Sequence, residues 1–299
     1  MRKIPVILDT DIGTDIDDTW ALIMLLNSSE LDVKLITTVS GNTYYRAKIV
    51  AKFLEIAERT DIPIGIGIGN PKDSLNLQEP WIKDYKLDKY EGKLYDNGID
   101  AIINTVKNSK EPITIISIGV ATNIAKALEI SPEIAKNSRF VGMHGSIYKG
   151  YGGKEGRDPE ANVRYDVPSI RKVFSTNFLE KIITPLDTCG IVKLEGERYK
   201  KILNSENPLL KALIENYKIW SELVPWTKVD YKVESSTLFD TVAIYLAYSR
   251  DFVEVENIKI KVTDDGFTVP DSEGDEINIA VRWKNYEGFL DHLLERLNP

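Results

Sequence analysis

The opening of the chain constrains the fold more than any other stretch. An apolar run, Ile4-Pro5-Val6-Ile7-Leu8, leads directly into Asp9-Thr10-Asp11-Ile12-Gly13-Thr14-Asp15-Ile16-Asp17-Asp18, and a second apolar stretch, Trp20-Ala21-Leu22-Ile23-Met24-Leu25-Leu26, follows. Five carboxylates crowd into those ten residues. At the end of a buried strand, so much like charge repels itself unless a cation neutralises it. The segment therefore predicts a strand, an acidic loop suited to a hard metal ion, and a helix.

Further along, short β-branched runs alternate with helical patterns. Strands are predicted at 4–8, 33–39, 64–68, 113–118, 140–143 and 182–186, several apolar enough to be buried on both faces, as in a parallel sheet. Helices are predicted between them, at 18–27, 44–58, 99–107, 123–128 and 169–174. This is the repeated unit of an open, doubly wound, mostly parallel (Rossmann-like) α/β fold, in which ligands bind beyond the carboxyl ends of the strands. After Leu186 the pattern is more helical (199–203, 209–223, 238–248), with late strands at 255–262 and 277–281 and a terminal helix at 286–297. Without a linker, repeat or low-complexity tract, 1–299 is expected to be a single domain.

Composition removes several function classes. A net charge of -8 without a basic stripe argues against a nucleic-acid surface. No apolar run approaches the ~20 residues that cross a bilayer, so neither a membrane span, an anchor nor a signal peptide is expected. The single cysteine, Cys189, excludes an internal disulfide and suits a reducing compartment, so the expected location is cytoplasmic. Only His144 and His292 supplement that cysteine. An all-oxygen site for a cation such as Ca²⁺ fits the chain better than a Zn²⁺ site.

Spacing tests the metal readings of the acidic loop. An EF-hand would need a third ligand where Gly13 stands and a glycine where Thr14 stands, so that pattern fails. An aspartyl-nucleophile phosphatase would need Thr or Val two residues beyond Asp11, where Gly13 again stands, which leaves it a weak alternative. The third possibility is a resemblance. Asp9-Thr10-Asp11-Ile12-Gly13, then Asp17-Asp18 and Ala21-Leu22, resembles the N-terminal signature of the nucleoside hydrolases, calcium-dependent enzymes that cleave the N-glycosidic bond of nucleosides. The resemblance continues in register through Ile36-Thr37-Thr38-Val39-Ser40-Gly41-Asn42, Gly119-Val120-Ala121-Thr122-Asn123-Ile124-Ala125, Glu160-Ala161-Asn162 with Asp166, and Phe239-Asp240. The acidic loop is two residues longer than the family pattern, which leaves Asp15 as an insertion.

The resemblance implies a hydrolase that releases base and ribose from ribonucleosides using a Ca²⁺-bound water activated by Asp11. Asp11, Asp18 and Asp240 would ligate the ion through side chains and Thr122 through its carbonyl, with Asp9 supporting them from behind. Asp17, Asn42, Met143, Glu160 and Asn162 would bind substrate, chiefly the ribose hydroxyls. Bland alternatives stand beside these roles: Asp17 or Asp18 as a helix cap, Asn42 as a turn residue, Asn123 as a cap, Asp240 as a surface acid. Departures bear on the base. Phe239 stands where many relatives carry a proton-donating His, His144 is a candidate replacement, and Ala161 stands where an aromatic is usual. The Gly-rich segment 148–158 is longer than usual and lacks the Asn that reaches the sugar's 5′ side, with Lys154 only near its place. Trp81 and Trp226 are candidate base-stacking residues, with Tyr148, Tyr151 and Tyr231 weaker ones. A homodimer or homotetramer is implied by family likeness. A binder of nucleoside or ribose that lacks catalysis is the alternative from another functional class.

Overall fold

In the computed structural model, which describes residues 3–70, 72 and 75–299, one ten-stranded sheet runs through the described chain. Its strands are β1 (Ile4–Thr10), β2 (Leu31–Thr38), β3 (Ile64–Ile66), β4 (Leu94–Tyr95), β5 (Ile113–Ser117), β6 (Ser138–Met143), β7 (Glu180–Thr184), β8 (Val253–Val262), β9 (Thr268–Pro270) and β10 (Asp275–Trp283). Their order across the sheet is β4-β3-β2-β1-β5-β6-β7-β10-β8-β9. From β4 to β10 all neighbours are parallel, and β8 and β9 add an antiparallel edge. The doubly wound, mostly parallel sheet is thus as the sequence pattern predicts.

Side-chain alternation along β1 shows why both faces need cover. Val6 and Leu8 enter one hydrophobic core and Ile7 the other, all three fully buried. The helices Asp17–Asn27 and Thr43–Ile56 contribute to the first core, and Gly98–Asn108, Thr122–Ile130 and Val167–Ser175 to the second. The chain winds outward from β1 to β4 and then crosses back to place β5 on the other side of β1. The loops leaving the carboxyl ends of β1 and β5 diverge at this switch point, where an open α/β sheet forms its ligand crevice. The acidic decapeptide is one of those loops.

The elements differ from expectation mainly where apolar pattern is short. The two-residue β4 and three-residue β9 carry too little periodicity to be read in advance. One-turn helices at Glu79–Ile82, Ala161–Arg164 and Leu186–Cys189 were likewise not expected. The predicted helix 238–248 shrinks to Thr241–Leu246, which leaves Asp240 just before its first turn. The more helical C-terminal part contributes Gly196–Leu203, Pro208–Leu223 and Tyr286–Leu297 to the first core, where Trp20 meets Tyr199 and Tyr217 at ring-centroid distances of 6.4 and 5.9 Å. Among the described residues no helix is long and apolar enough to cross a membrane.

Candidate active site

The site begins with Asp9, the buried penultimate residue of β1. Its Oδ1 accepts hydrogen bonds from Thr37 Oγ1 on β2 (2.5 Å) and Asn123 Nδ2 (2.8 Å). Asn123 also donates to the Thr38 carbonyl (3.0 Å) and accepts from the Ile68 amide (2.8 Å). It is therefore a cross-brace among three strand ends rather than a cap. Burial pushes Asp9 up to about 7, and those two hydrogen bonds work against the rise. Asp9 thus anchors the base of the loop.

The loop itself is held from outside by the helix Thr43–Ile56. Arg46, buried, donates from Nη1 to the carbonyls of Asp11 and Ile12, from Nη2 to Thr14 Oγ1 (3.1 Å) and from Nε to the Ser40 carbonyl (2.9 Å). Its neighbour Tyr45 donates to the Gly13 carbonyl (3.0 Å) and accepts from the Gln78 amide (2.8 Å). Gly13 has φ +112°, and a Cβ there would lie 2.5 Å from the Tyr45 ring, so glycine is required twice over. At Gly119, beyond β5, a Cβ would stand 3.0 Å from Asp11, so the second crevice loop packs directly on that residue.

Three carboxylates converge inside this frame. Asp17, Asp18 and Asp240 each present an oxygen within 4.8 Å of the other two, and all three are buried. The cap position of the first helix is Ile16, and Asp240, at the cap position of its own helix, makes no side-chain capping bond, so none of the three carboxyls is spent on capping. Asp18 Oδ1 accepts from Thr10 Oγ1, and the Asp17 and Asp240 carboxyls are hydrogen-bonded to each other. Burial first, then mutual repulsion, raises Asp17, Asp18 and Asp240 well above the carboxylate range. Burial also raises Asp11, although the Arg46 charge opposes it. Acids so placed must keep protons or share a cation, and an all-oxygen set of this charge suits a hard divalent ion. The residues present fit a metal.

A cavity of about 650 Å³ opens over the cluster, lined by Asp11, Asp15, Asp17, Asp18 and Asp240 on its floor. Met143, Glu160 and Asn162 form one wall. Glu160 receives the amides of Gly145 (2.9 Å), Asn162 (2.7 Å) and Val163 (3.2 Å), while burial lifts it to about 7. Asn162 donates to the carbonyls of Ile118 (3.2 Å) and Met143 (3.1 Å), which ties that wall to β5 and β6. Trp226, 49% exposed, stands at the rim edge-on to Trp220, and Phe239 meets Tyr151 edge-on at 6.0 Å. The inserted Asp15 also faces the cavity; its carboxyl is hydrogen-bonded to Trp226, and burial raises it to about 6.

Other candidates lie elsewhere. Trp81 is buried against Phe53 at 4.6 Å with the Lys52 ammonium 3.8 Å from its ring, because its one-turn helix folds it into the first core rather than into a loop. His144 is fully buried between Phe140 and Phe174, and burial holds it at about 3, so it is a neutral packed ring and not a proton donor at the cavity. Asn42 caps the helix Thr43–Ile56 by accepting from the Tyr45 amide (3.0 Å) and does not line the cavity. Thr122 opens its helix outside the cavity lining, with its hydroxyl on Asp166, which in turn caps the helix Val167–Ser175. His292 hydrogen-bonds Tyr248 (2.7 Å) in the terminal helix. Arg46, Tyr45, Thr14, Arg164 and Lys193 carry no local signal that would have placed them around this site.

The architecture and site define an α/β protein with an acidic, metal-suited crevice facing a polar wall and an aromatic rim. The sequence profile of the inosine-uridine preferring nucleoside hydrolases matches residues 6–290. A non-specific ribonucleoside hydrolase, RihC of Klebsiella pneumoniae, is 31% identical over 72% of this chain and 73% of its own length. A pyrimidine-specific ribonucleoside hydrolase, RihA of Escherichia coli, is 27% identical over 98% of both. Among solved structures, the plant nucleoside hydrolase PpNRh1 superposes with a TM-score of 0.82 at 22% identity over 99% of both chains. A purine-preferring ribonucleoside hydrolase from Gardnerella vaginalis gives 0.75 at 23% identity over 98% of both. The chain belongs to the inosine-uridine preferring nucleoside hydrolase family and is a hydrolase acting on N-glycosyl bonds. Membership displaces both the phosphatase alternative and the purely binding one.

Proposed function

We propose that the protein hydrolyses ribonucleosides to free base and ribose, with Asp11 as general base and Ca²⁺ as the resident ion. The observation that carries this is the convergence of buried Asp17, Asp18 and Asp240 beside Asp11, on the floor of a cavity whose wall is Glu160 and Asn162. Asp11, Asp18 and Asp240 would hold the ion, with Asp17 close enough to share it or to bind the ribose. Bound there, Ca²⁺ would acidify a water and take the vicinal ribose hydroxyls among its oxygen ligands.

The residues do the rest. Asp11, fixed through its own carbonyl by Arg46 and packed under Gly119, accepts a proton from the attacking water as oxygen bonds to the anomeric carbon. The base departs with the electron pair of the glycosidic bond. As that bond breaks, and before the oxygen bond is complete, positive charge develops on the sugar above a floor of carboxylates, which stabilise it electrostatically. Glu160, Asn162 and Met143 orient the ribose. Phe239 cannot donate a proton, so departure of the base relies on the rim, where Trp226 offers an exposed ring for stacking. Relatives described as non-specific, pyrimidine-specific and purine-preferring favour testing both base classes.

The test is release of reducing sugar from a panel of purine and pyrimidine ribonucleosides, with chelator and with Ca²⁺ restored. Release is expected from at least one nucleoside, lost on chelation and recovered with Ca²⁺. No release from any of them in the presence of Ca²⁺ would overturn the proposal.

A further inference from the structure

Left-handed backbone is uncommon outside glycine, and among the described residues two others adopt it, Glu58 at φ 55° and Ser40 at φ 59°. Glu58 lies just past the helix Thr43–Ile56, where the Arg59 amide returns to the Leu54 carbonyl (2.8 Å), and a left-handed residue there is an ordinary helix ending. Ser40 ends no helix. It lies between β2 and that same helix, beside Gly41, itself at φ 50°. A glycine at position 40 would take this backbone freely, whereas serine holds a Cβ against it. Strain of this kind persists where the surrounding structure enforces it, and it gathers at working sites.

The neighbours of Ser40 show what enforces it. Arg46 grips it twice, from Nε to its carbonyl (2.9 Å) and from Nη2 to its Oγ (3.2 Å). The Ser40 amide donates to the Ile68 carbonyl (2.8 Å). A guanidinium only donates, so Oγ accepts from Arg46 and keeps its single proton for another acceptor. That acceptor is the Asp11 carboxyl, which is hydrogen-bonded to Ser40 and to its own amide. An ionised carboxyl only accepts, so the direction of the chain Arg46–Ser40–Asp11 is fixed. Arg46 thereby holds Asp11 by two routes, its carbonyl directly and its carboxyl through Ser40. Ser40 does not line the cavity, so anything it does there it does through Asp11.

We propose that Ser40 is a positioning residue for Asp11: its left-handed backbone places a hydroxyl, oriented by Arg46, that fixes the Asp11 carboxyl and leaves an oxygen of it free for the attacking water. This rests on Asp11 being the general base, as proposed above. Ser40→Ala and Ser40→Gly both remove the hydroxyl, and glycine also releases the backbone. The experiment compares the two with wild type by ribose release, by thermal melting and by crystal structures. In both variants kcat is expected to fall about 10-fold with KM within about twofold, while Ser40→Gly melts about 2 °C or more above Ser40→Ala. The Asp11 side chain is expected in one rotamer in wild type and turned, or in two conformers, in both variants. Turnover would then follow the hydroxyl and melting the backbone. Turnover within about twofold of wild type in both variants, a loss carried by KM or confined to the less stable variant, or an Asp11 side chain unmoved in both would each overturn the assignment. A wild type that releases no sugar from any nucleoside, with Asp11 turned in both variants, would uphold the positioning and overturn the hydrolytic proposal alone.

Discussion

The floor and the rim of the cavity are built on opposite principles. Asp17, Asp18 and Asp240 on the floor and Asp9 at the base of their loop are between 0 and 4% exposed and are fixed by strand ends, Asn123 and Thr10. At the rim, Trp226 and Tyr165 are 49% and 71% exposed and stand on short connecting segments. Buried charge tolerates no slack, because every unpaired carboxylate is costly. An aromatic surface needs only a flat face at about the right place. The floor should therefore govern turnover and the rim affinity.

The sharpest way to break that division is Asp11→Ala. Turnover is expected to fall about 10³-fold or more with modest change in KM, as measured by ribose release. A loss confined to KM would put Asp11 in binding rather than proton transfer. Arg46→Met, which removes the clamp outside the loop, is expected to lower kcat about 100-fold and unfolding stability by about 3 kcal/mol, since the Asp11 and Ile12 carbonyls lose their donor and the acidic loop its cation. Intact turnover in this variant would mean that the floor does not need its outer brace.

At the rim, Trp226→Ala should raise KM roughly tenfold and leave kcat within about twofold, by loss of stacking. Trp81→Phe should leave both unchanged, as Trp81 packs on Phe53. Equal effects of the two would erase the distinction between rim and core tryptophan. The smallest effect is thermal. Asp9 and Glu160, raised to about 7, keep protons in the folded chain that the unfolded chain releases near its ordinary carboxylate values. Their contribution is full below those values and is lost as pH rises through about 7. Melting of chelator-treated protein should drop by a few degrees between about pH 5 and about pH 8, and added Ca²⁺ should stabilise more at the higher pH. A Ca²⁺ shift that is independent of pH would contradict protonated acids on a metal-free floor.

Much of this was legible in the chain. Buried parallel strands announce themselves as continuous apolar runs, so β1, β2, β5, β6 and β7 were placed within a few residues. The acids at Asp11, Asp17, Asp18 and Asp240, and Glu160 with Asn162, were found through ordered motifs and do line one cavity. Asn42, Thr122, Trp81 and His144 belong to the same motifs or to neighbouring segments, yet none of them lines it. Their neighbours in sequence gave no information about which way the side chain turns. Tyr151 was only a weak candidate because its place in the cavity wall depends on the Ala161 amide ten residues away and on Asp187 beyond that.

By itself, then, the sequence determined the alternation of strand and helix, the charge problem after β1 and the need for a cation, because hydrophobic period and local charge density act within a few residues. Tertiary structure alone decided that β5 returns beside β1, that Asp240 closes a cluster begun at Asp17, and that Arg46 clamps the loop from outside. Those contacts join residues tens to hundreds of positions apart. Which of them meet depends on strand order and on core packing, and neither is written in any local pattern.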